Sequence, residues 1–233
     1  MNNIELKSKL HEIKNMGWVD SLRTGDTGIG YTLETLLGID ENNDSAADID
    51  GKFEIKGMRK ESTSLKTHFS QSPIWIVKPR DIIRKYGQQC SENPERINCY
   101  STLQCGKETP QGLKLEVRNS NLFLKGSNNE DLAEYPLEVI RFRYRQKFTD
   151  MVMVLAERQK QRGKPERFLY NEVYYCNNLS LTKVIKLLKQ GKMKVDLRMW
   201  LNKDTNRLRD RGTAFRMKRE ETKELFDKVT RWI

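Results

Sequence analysis

Between residues 28 and 56 the chain reads GIGYTLETLLGIDENNDSAADIDGKFEIK, and its last four letters constrain it most: a β-forming run carries a carboxylate at Glu54 and an ammonium at Lys56. Side chains alternate along a strand, so residues two apart face the same way. One carboxylate and one ammonium therefore share a site. Upstream, GIGYTLETLLG reads as a helix of about two turns that carries Glu34 and stops at Gly38. Asp48 precedes the strand, and Gly51 lets the chain turn so that a second carboxylate closes on the first.

This combination suits one chemistry. Cutting a phosphodiester needs a divalent cation to neutralise charge on the phosphorane and a water activated in line with the leaving oxygen. Hard cations such as Mg2+ take oxygen ligands. Asp48 and Glu54 are candidate ligands, the carbonyl of Ile55 is a third, Lys56 orients or polarises the water, and Glu34 adds an acid from the neighbouring helix. A solvated strand edge would show the same letters, so the pattern alone leaves both readings open.

Longer segments carry a resemblance. KNMGWVDSLRTGDTGIGYTLETLLGIDENN, ADIDGKFEIKGMRK, GKMKVDLRM and RGTAFRM resemble the MvaI and BcnI type restriction endonucleases, relatives of the mismatch-repair nicking enzyme MutH, over nearly the whole chain. The resemblance implies an α/β fold with a PD-(D/E)XK core, a mixed sheet flanked by helices. It places the catalytic set on Glu34, Asp48, Glu54 and Lys56, with Mg2+ as cofactor and Mn2+ as a substitute. Ala47-Asp48-Ile49 matches the family's small residue, Asp, apolar wording, which favours Asp48 over Asp50; Asp50 reads as a turn residue beside Gly51. Also implied is a type II enzyme that acts as a monomer and nicks the two strands in turn at a short GC-rich target of the form CC-x-GG. The wording GTAFR favours CC(A/T)GG, while His68 and Ser70 leave the central base open. A cognate methyltransferase encoded nearby, not a stable subunit, is the expected companion. The competing readings are a MutH-like strand-specific repair nickase and a DNA-binding protein without catalysis.

Charge agrees with a polyanionic partner. The 233 residues hold 43 Lys plus Arg against 32 Asp plus Glu, a net +11, with a pI near 9.4. Neutralising duplex phosphates releases counterions and drives binding, although the same balance suits RNA or an anionic membrane surface. Two clusters stand out: 141–167 with a local +6, including the QKQRGKPER loop, and 203–219 with a local +5. Within the second, Arg209, Arg211 and Arg216 are candidates for guanine edges in the major groove, Asp210 for orienting them, Gly212 for close backbone approach, and Thr213 for a further DNA contact. The resemblance assigns that segment to base reading, with phosphate clamping as the other role. It also turns Lys66, Thr67, His68 and Gln71 toward DNA.

Other chemistries lack material. GDTGIG does not have the spacing or the preceding strand of a dinucleotide loop. There is no G-x-S-x-G, and His11 and His68 are the two histidines. Cys90, Cys99, Cys105 and Cys176 show no C-x2-C pairing and read as free thiols. No apolar run reaches membrane-spanning length and the N-terminus lacks a signal peptide's apolar core, so a cytoplasmic protein is expected.

The coarse pattern is a helix near the N-terminus with apolar Ile4, Leu6, Leu10 and Ile13, strands at 53–57, 73–78 and 151–157, and a hairpin of LKLEV and NLFLK. Loops are expected over 87–112. A helix is expected from Pro136 to near Phe148, a strand at FLYNEVYYC, and a helix at SLTKVIKLLKQG. KVDLRMW and TAFRM read as strands, and a helix is expected from Glu220 to the end. Tyr170, Tyr174 and Tyr175 read as core packing. The expected organisation is a single endonuclease domain over 1–233, or two lobes around a DNA cleft, with 1–150 mainly catalytic and 151–233 mainly for recognition.

Overall fold

The strand Phe53–Arg59 pairs in parallel with Asp150–Gln159, Phe53 opposite Asp150 and Lys56 opposite Met153. Parallel neighbours cannot be joined by a tight turn and need a long crossover. Here the crossover is most of a second compact unit. The computed structural model describes residues 1–39, 48–49, 53–119, 121–147, 150–160 and 162–233, those of 144–147 by backbone alone. It divides into one unit of Met1–Ser64, Tyr144–Ser180 and Lys223–Ile233, and another of Leu65–Arg143 and Leu181–Thr222. Each unit is assembled from segments far apart in sequence, as the pairing of Phe53–Arg59 with Asp150–Gln159 requires of the first.

In the first unit, Asp150–Gln159 lies between Phe53–Arg59 and the antiparallel Arg167–Leu179. The far edge of Arg167–Leu179 takes Val19–Asp20 at one end and Phe226–Arg231 at the other. The N-terminal helix Asn3–Asn15 begins with a reciprocal cap between Asn2 and Glu5. It buries Leu6, Leu10 and Ile13 with Ile29, Leu33 and Leu37 of the helix Gly28–Leu37 against Phe53, Ile55, Val152, Val154 and Phe168. Ile4, expected on that apolar stripe, is 82% exposed. Gly38 ends the second helix at φ 74°, the left-handed conformation that glycine adopts without cost. The opposite face of the sheet carries Met58, Met153, Leu155 and Tyr174 together with Glu54 and Lys56.

The second unit holds two sheets. One runs Lys66–Ser70, Ala214–Met217, Lys194–Asn202, Arg96–Leu103 and Gln88–Gln89, with Leu208–Asp210 beside Lys194–Asn202. The other runs Ile74–Trp75, Asp131–Pro136, Asn121–Lys125 and Lys114–Arg118. The helices Pro79–Tyr86 and Leu181–Lys189 also belong to this unit.

Two stretches differ from their sequence pattern. The polar run expected as loop contains the strand Arg96–Leu103, whose Cys99 and Leu103 go inward while Tyr100 and Thr102 face out. The expected C-terminal helix is a short 3-10 turn, Thr222–Leu225, followed by the strand Phe226–Arg231. Pairing with a distant strand outweighs the helical composition of that segment.

Candidate active site

Glu54 is fully buried and its carboxylate ion-pairs with Lys56, whose side chain keeps 27% exposure. The two share a face because both stand at even positions of one strand. Ile49 and Phe53 exchange backbone hydrogen bonds of 3.1 and 3.2 Å. That pairing folds Asp48 back along the strand, and its Oδ2 accepts a hydrogen bond from the Ile55 amide at 2.7 Å. Asp50 lies outside the described residues. Burial pulls the Lys56 pKa down, but the carboxylates of Glu54, and then Asp48 and Glu34, outweigh it and hold the ammonium above its ordinary range. Lys56 is therefore a fixed cation at neutral pH, surrounded by three acids brought from a helix, a turn and its own strand.

The helix places Glu34 through a close backbone approach. A Cβ on Gly57 would stand 3.1 Å from the Ile29 carbonyl oxygen and 3.3 Å from the Gly30 Cα, so any side chain here would press the helix back by a few tenths of an ångström. Tyr170 donates to the same Ile29 carbonyl at 2.8 Å. Arg59, buried at the strand's end, donates to the carbonyls of Gly25 and Asp26, each at 3.1 Å, and to Glu166 at 2.9 Å. The segment that opens the helix is thus pinned to the sheet. A recess of about 300 Å³ results, bordered by Arg23, Asp26, Tyr31, Glu34, Ile55 and Lys56. Gly57, Arg59 and Arg23 were not singled out from the sequence. A lone glycine or arginine carries no local signal of what it touches.

Among the described residues, no group of three His, Cys, Asp or Glu side chains is placed to hold a metal ion. The donors that the sequence names as candidates here are the carboxylates of Asp48 and Glu54 with the Ile55 carbonyl. All three are hard oxygens, without thiol or imidazole, which fits Mg2+ or Mn2+ rather than zinc or copper.

The second unit shows a related design. Asp196 and Arg198 alternate with buried Val195, Leu197 and Met199 on the strand Lys194–Asn202. The signal that finds them is the one that finds Glu54 and Lys56, two charges two apart in an apolar strand. They border a recess of about 350 Å³ with Tyr100, Thr102 and Arg211. Arg198 donates to the Gly212 carbonyl and the Arg211 carbonyl, each at 3.1 Å, and to Ser70 Oγ at 3.0 Å. Asp210 accepts from the Gly212 amide at 2.7 Å, and Gly212 sits at φ 73°. The loop is held in shape while Arg209, Asp210 and Arg211 remain exposed.

The other expected contacts divide. Lys66 is half-buried and Thr67 exposed. Gln71 bonds the Thr213 carbonyl through its amide at 2.9 Å and accepts from Arg143 at 3.0 Å. Thr213 is fully buried and donates to the Gln71 carbonyl, so its side chain staples two loops. Arg216 ion-pairs with Asp196 and donates to the Leu65 carbonyl at 2.7 Å. His68 is only 3% exposed, its ring 3.4 Å from Thr222 Oγ1. A register shift pairs Phe215 with Phe69 but Arg216 with Thr67, which skips His68 and turns it inward beside Phe69. The expectation that His68 faces DNA is corrected accordingly: it is a core residue. The four cysteines are free thiols, Cys99 and Cys176 buried.

A mixed sheet carries a buried Glu-x-Lys pair beside acids from a turn and a helix, and sequence comparison gives the family. The MvaI/BcnI restriction endonuclease family matches residues 7–226, and the chain belongs to it. It is a type II restriction endonuclease. No curated protein sequence matches the chain. Among solved structures it is similar to a restriction endonuclease MvaI–cognate DNA substrate complex, at 23% identity and TM-score 0.81 over 100% of both chains. It is also similar to restriction endonuclease MvaI in the absence of DNA, at 21% identity and TM-score 0.59 over 100% of this chain and 99% of that one. No helix among the described residues is long and apolar enough to cross a membrane.

Proposed function

We propose that this enzyme hydrolyses phosphodiester bonds of double-stranded DNA at a short GC-rich site of CC-x-GG type, CC(A/T)GG by its GTAFR wording, nicking the strands in turn from one active site as a monomer. The observation that carries the reading is the single ammonium of Lys56 amid the carboxylates of Glu54, Asp48 and Glu34. Membership of the family supports it, as does the likeness to an MvaI structure solved with its cognate DNA.

In this reading Asp48, Glu54 and the Ile55 carbonyl hold Mg2+, for which Mn2+ substitutes; the ion, when bound, neutralises developing phosphorane charge and lowers the pKa of a water. Lys56, protonated, donates to the attacking oxygen and fixes its line of approach. Its raised pKa makes it a hydrogen-bond donor and positive charge instead of a base. Glu34 faces the same recess and takes the proton that leaves the water. Glu54, being buried, keeps Lys56 from swinging away. In the second unit, Arg198, Arg209 and Arg211 read guanine edges in the major groove, while Lys66 and Thr67 contact the backbone. Asp210, Gln71, Thr213 and Arg216 shape the reading loop.

Lys56→Ala tests this directly. Removing the charge that orients the nucleophile should reduce single-turnover cleavage in Mg2+ by roughly a hundredfold or more, with duplex affinity in Ca2+ unchanged. Cleavage at the parental rate would remove Lys56, and with it the assigned site, from the mechanism.

A further inference from the structure

The hairpin between Asp150–Gln159 and Arg167–Leu179 carries Lys160, Arg162 and Lys164, charges that the hydrolytic site does not use. Lys160 and Lys164 form one wall of a recess of about 500 Å³, and the segment from Ser21 to Gly25 forms the other. The Ser21 amide donates to the Glu166 carbonyl at 2.7 Å, which ties the walls together. Arg59 holds Gly25, Asp26 and the Glu166 carboxylate at once, so one buried guanidinium fixes the spacing of both walls.

The recess is electropositive. Glu166 is its one acid among the bordering residues, and it is neutralised by Arg59 at 2.9 Å with Lys160 at 3.4 Å. Arg23, Lys160 and Lys164 outnumber it along the lining. Gly25 and Gly163 stand at φ 82° and 75° with nothing within 4 Å of a Cβ position, leaving their backbone open to a close neighbour. Arg23, stacked 3.8 Å over Tyr31, borders both this recess and the one with Glu34 and Lys56. Phosphates recur every ~3.4 Å of rise along each DNA strand. A strand whose scissile phosphate lies in the active-site recess therefore carries its neighbours past Arg23.

We propose that the recess between Ser21–Gly25 on one side and Lys160, Gly163, Lys164 and Glu166 on the other is a backbone-phosphate seat, which binds a phosphodiester flanking the scissile one and so registers the strand at the active site. The proposal rests on the reading of this chain as an enzyme that cuts duplex DNA. An open, cationic recess whose walls are hydrogen-bonded to each other suits an anion carried on a long chain, and phosphate contacts position a duplex without reading sequence.

The test is binding of a labelled target duplex in Ca2+, from 50 to 200 mM salt, by wild type and by Lys160→Ala/Lys164→Ala, both positions being exposed. The variant should bind roughly three- to tenfold more weakly at the low-salt end, with a salt slope shallower by about one, as expected for one lost phosphate contact. Its preference for target over non-target duplex should be unchanged. Replacing flanking phosphates one at a time by neutral methylphosphonates should weaken the wild type at a position to which the variant is indifferent. Parental affinity and slope in the variant, or no such position, would overturn the seat. A wild type that binds target duplex but shows neither effect leaves the nuclease reading intact, whereas one that binds no duplex overturns that reading and the seat together.

Discussion

Single residues here act through charge placed where water is scarce. Arg59 is 7% exposed and its guanidinium satisfies two carbonyls and one carboxylate. Arg59→Ala would leave the Glu166 carboxylate and both carbonyls without that partner, a loss of about 3–5 kcal/mol by analogy with broken buried ion pairs. Thermal unfolding should therefore start on the order of 10 °C lower; a shift of a degree or less would show that the clamp is dispensable. Glu130 makes a pH-dependent counterpart. It accepts from Lys85 at 2.7 Å, Tyr86 at 2.5 Å and the Asn128 amide at 2.9 Å. Lys85 first, then Tyr86, hold its pKa at about 2, below the ordinary 4.5. A depressed folded pKa stabilises above the unfolded value and the stabilisation fades as pH falls through the folded one. Glu130→Gln should thus melt earlier than wild type at pH 7, with the gap closing between pH 4.5 and 2. A gap independent of pH would mean that the hydrogen bonds alone matter. His68 shows how one residue's role turns on a bulge: alternation faces it outward, and the skipped register turns it in.

Elements deliver these residues, and how legible each element was depended on what it pairs with. The strand Phe53–Arg59 and helix Gly28–Leu37 follow from period and a glycine stop, and both lie where the sequence pattern puts them. The hairpin Lys114–Arg118 with Asn121–Lys125 is similarly local and was similarly readable. Phe226–Arg231 was not, because its strand state comes from docking on Tyr174 to Leu179, far away in sequence. Asp196 and Arg198 carried the same alternating signal as Glu54 and Lys56, yet on the page of letters a charged pair in a strand gains meaning only beside Tyr100 and Arg211. Gly57 is the least visible of all, since what it does is allow a helix to approach. Gly57→Ala should force the Ile29–Gly30 backbone, 3.1–3.3 Å from the new Cβ, away from the strand. Overpacking of this kind costs about 1–3 kcal/mol. Moving the helix that carries Glu34 by a fraction of an ångström should slow cleavage at least roughly tenfold, with duplex binding in Ca2+ retained. A variant that melts and cuts like wild type would show that the close approach is incidental.

At the scale of the molecule, the chain passes between two compact units at 64/65, 143/144, 180/181 and 222/223. The unit with Glu54 and Lys56 holds the candidate hydrolytic groups, and the unit with Arg198 and Arg211 holds an exposed cationic loop. A net +11 provides the long-range attraction to a polyanion. The family assignment, to the MvaI/BcnI restriction endonucleases, spans both units, since the match runs over residues 7–226. The measurement that tests this most directly is digestion of unmethylated phage-length DNA with Mg2+, beside an EDTA control, followed by sequencing of the fragment ends. The account predicts discrete fragments that share one terminal sequence of CC-x-GG type and intact DNA in EDTA, with nicked circles preceding linear product on a plasmid carrying a single site. Nicked circles that never become linear would replace it with a strand-specific nickase, and DNA that shifts in a gel yet stays intact in Mg2+ would contradict it.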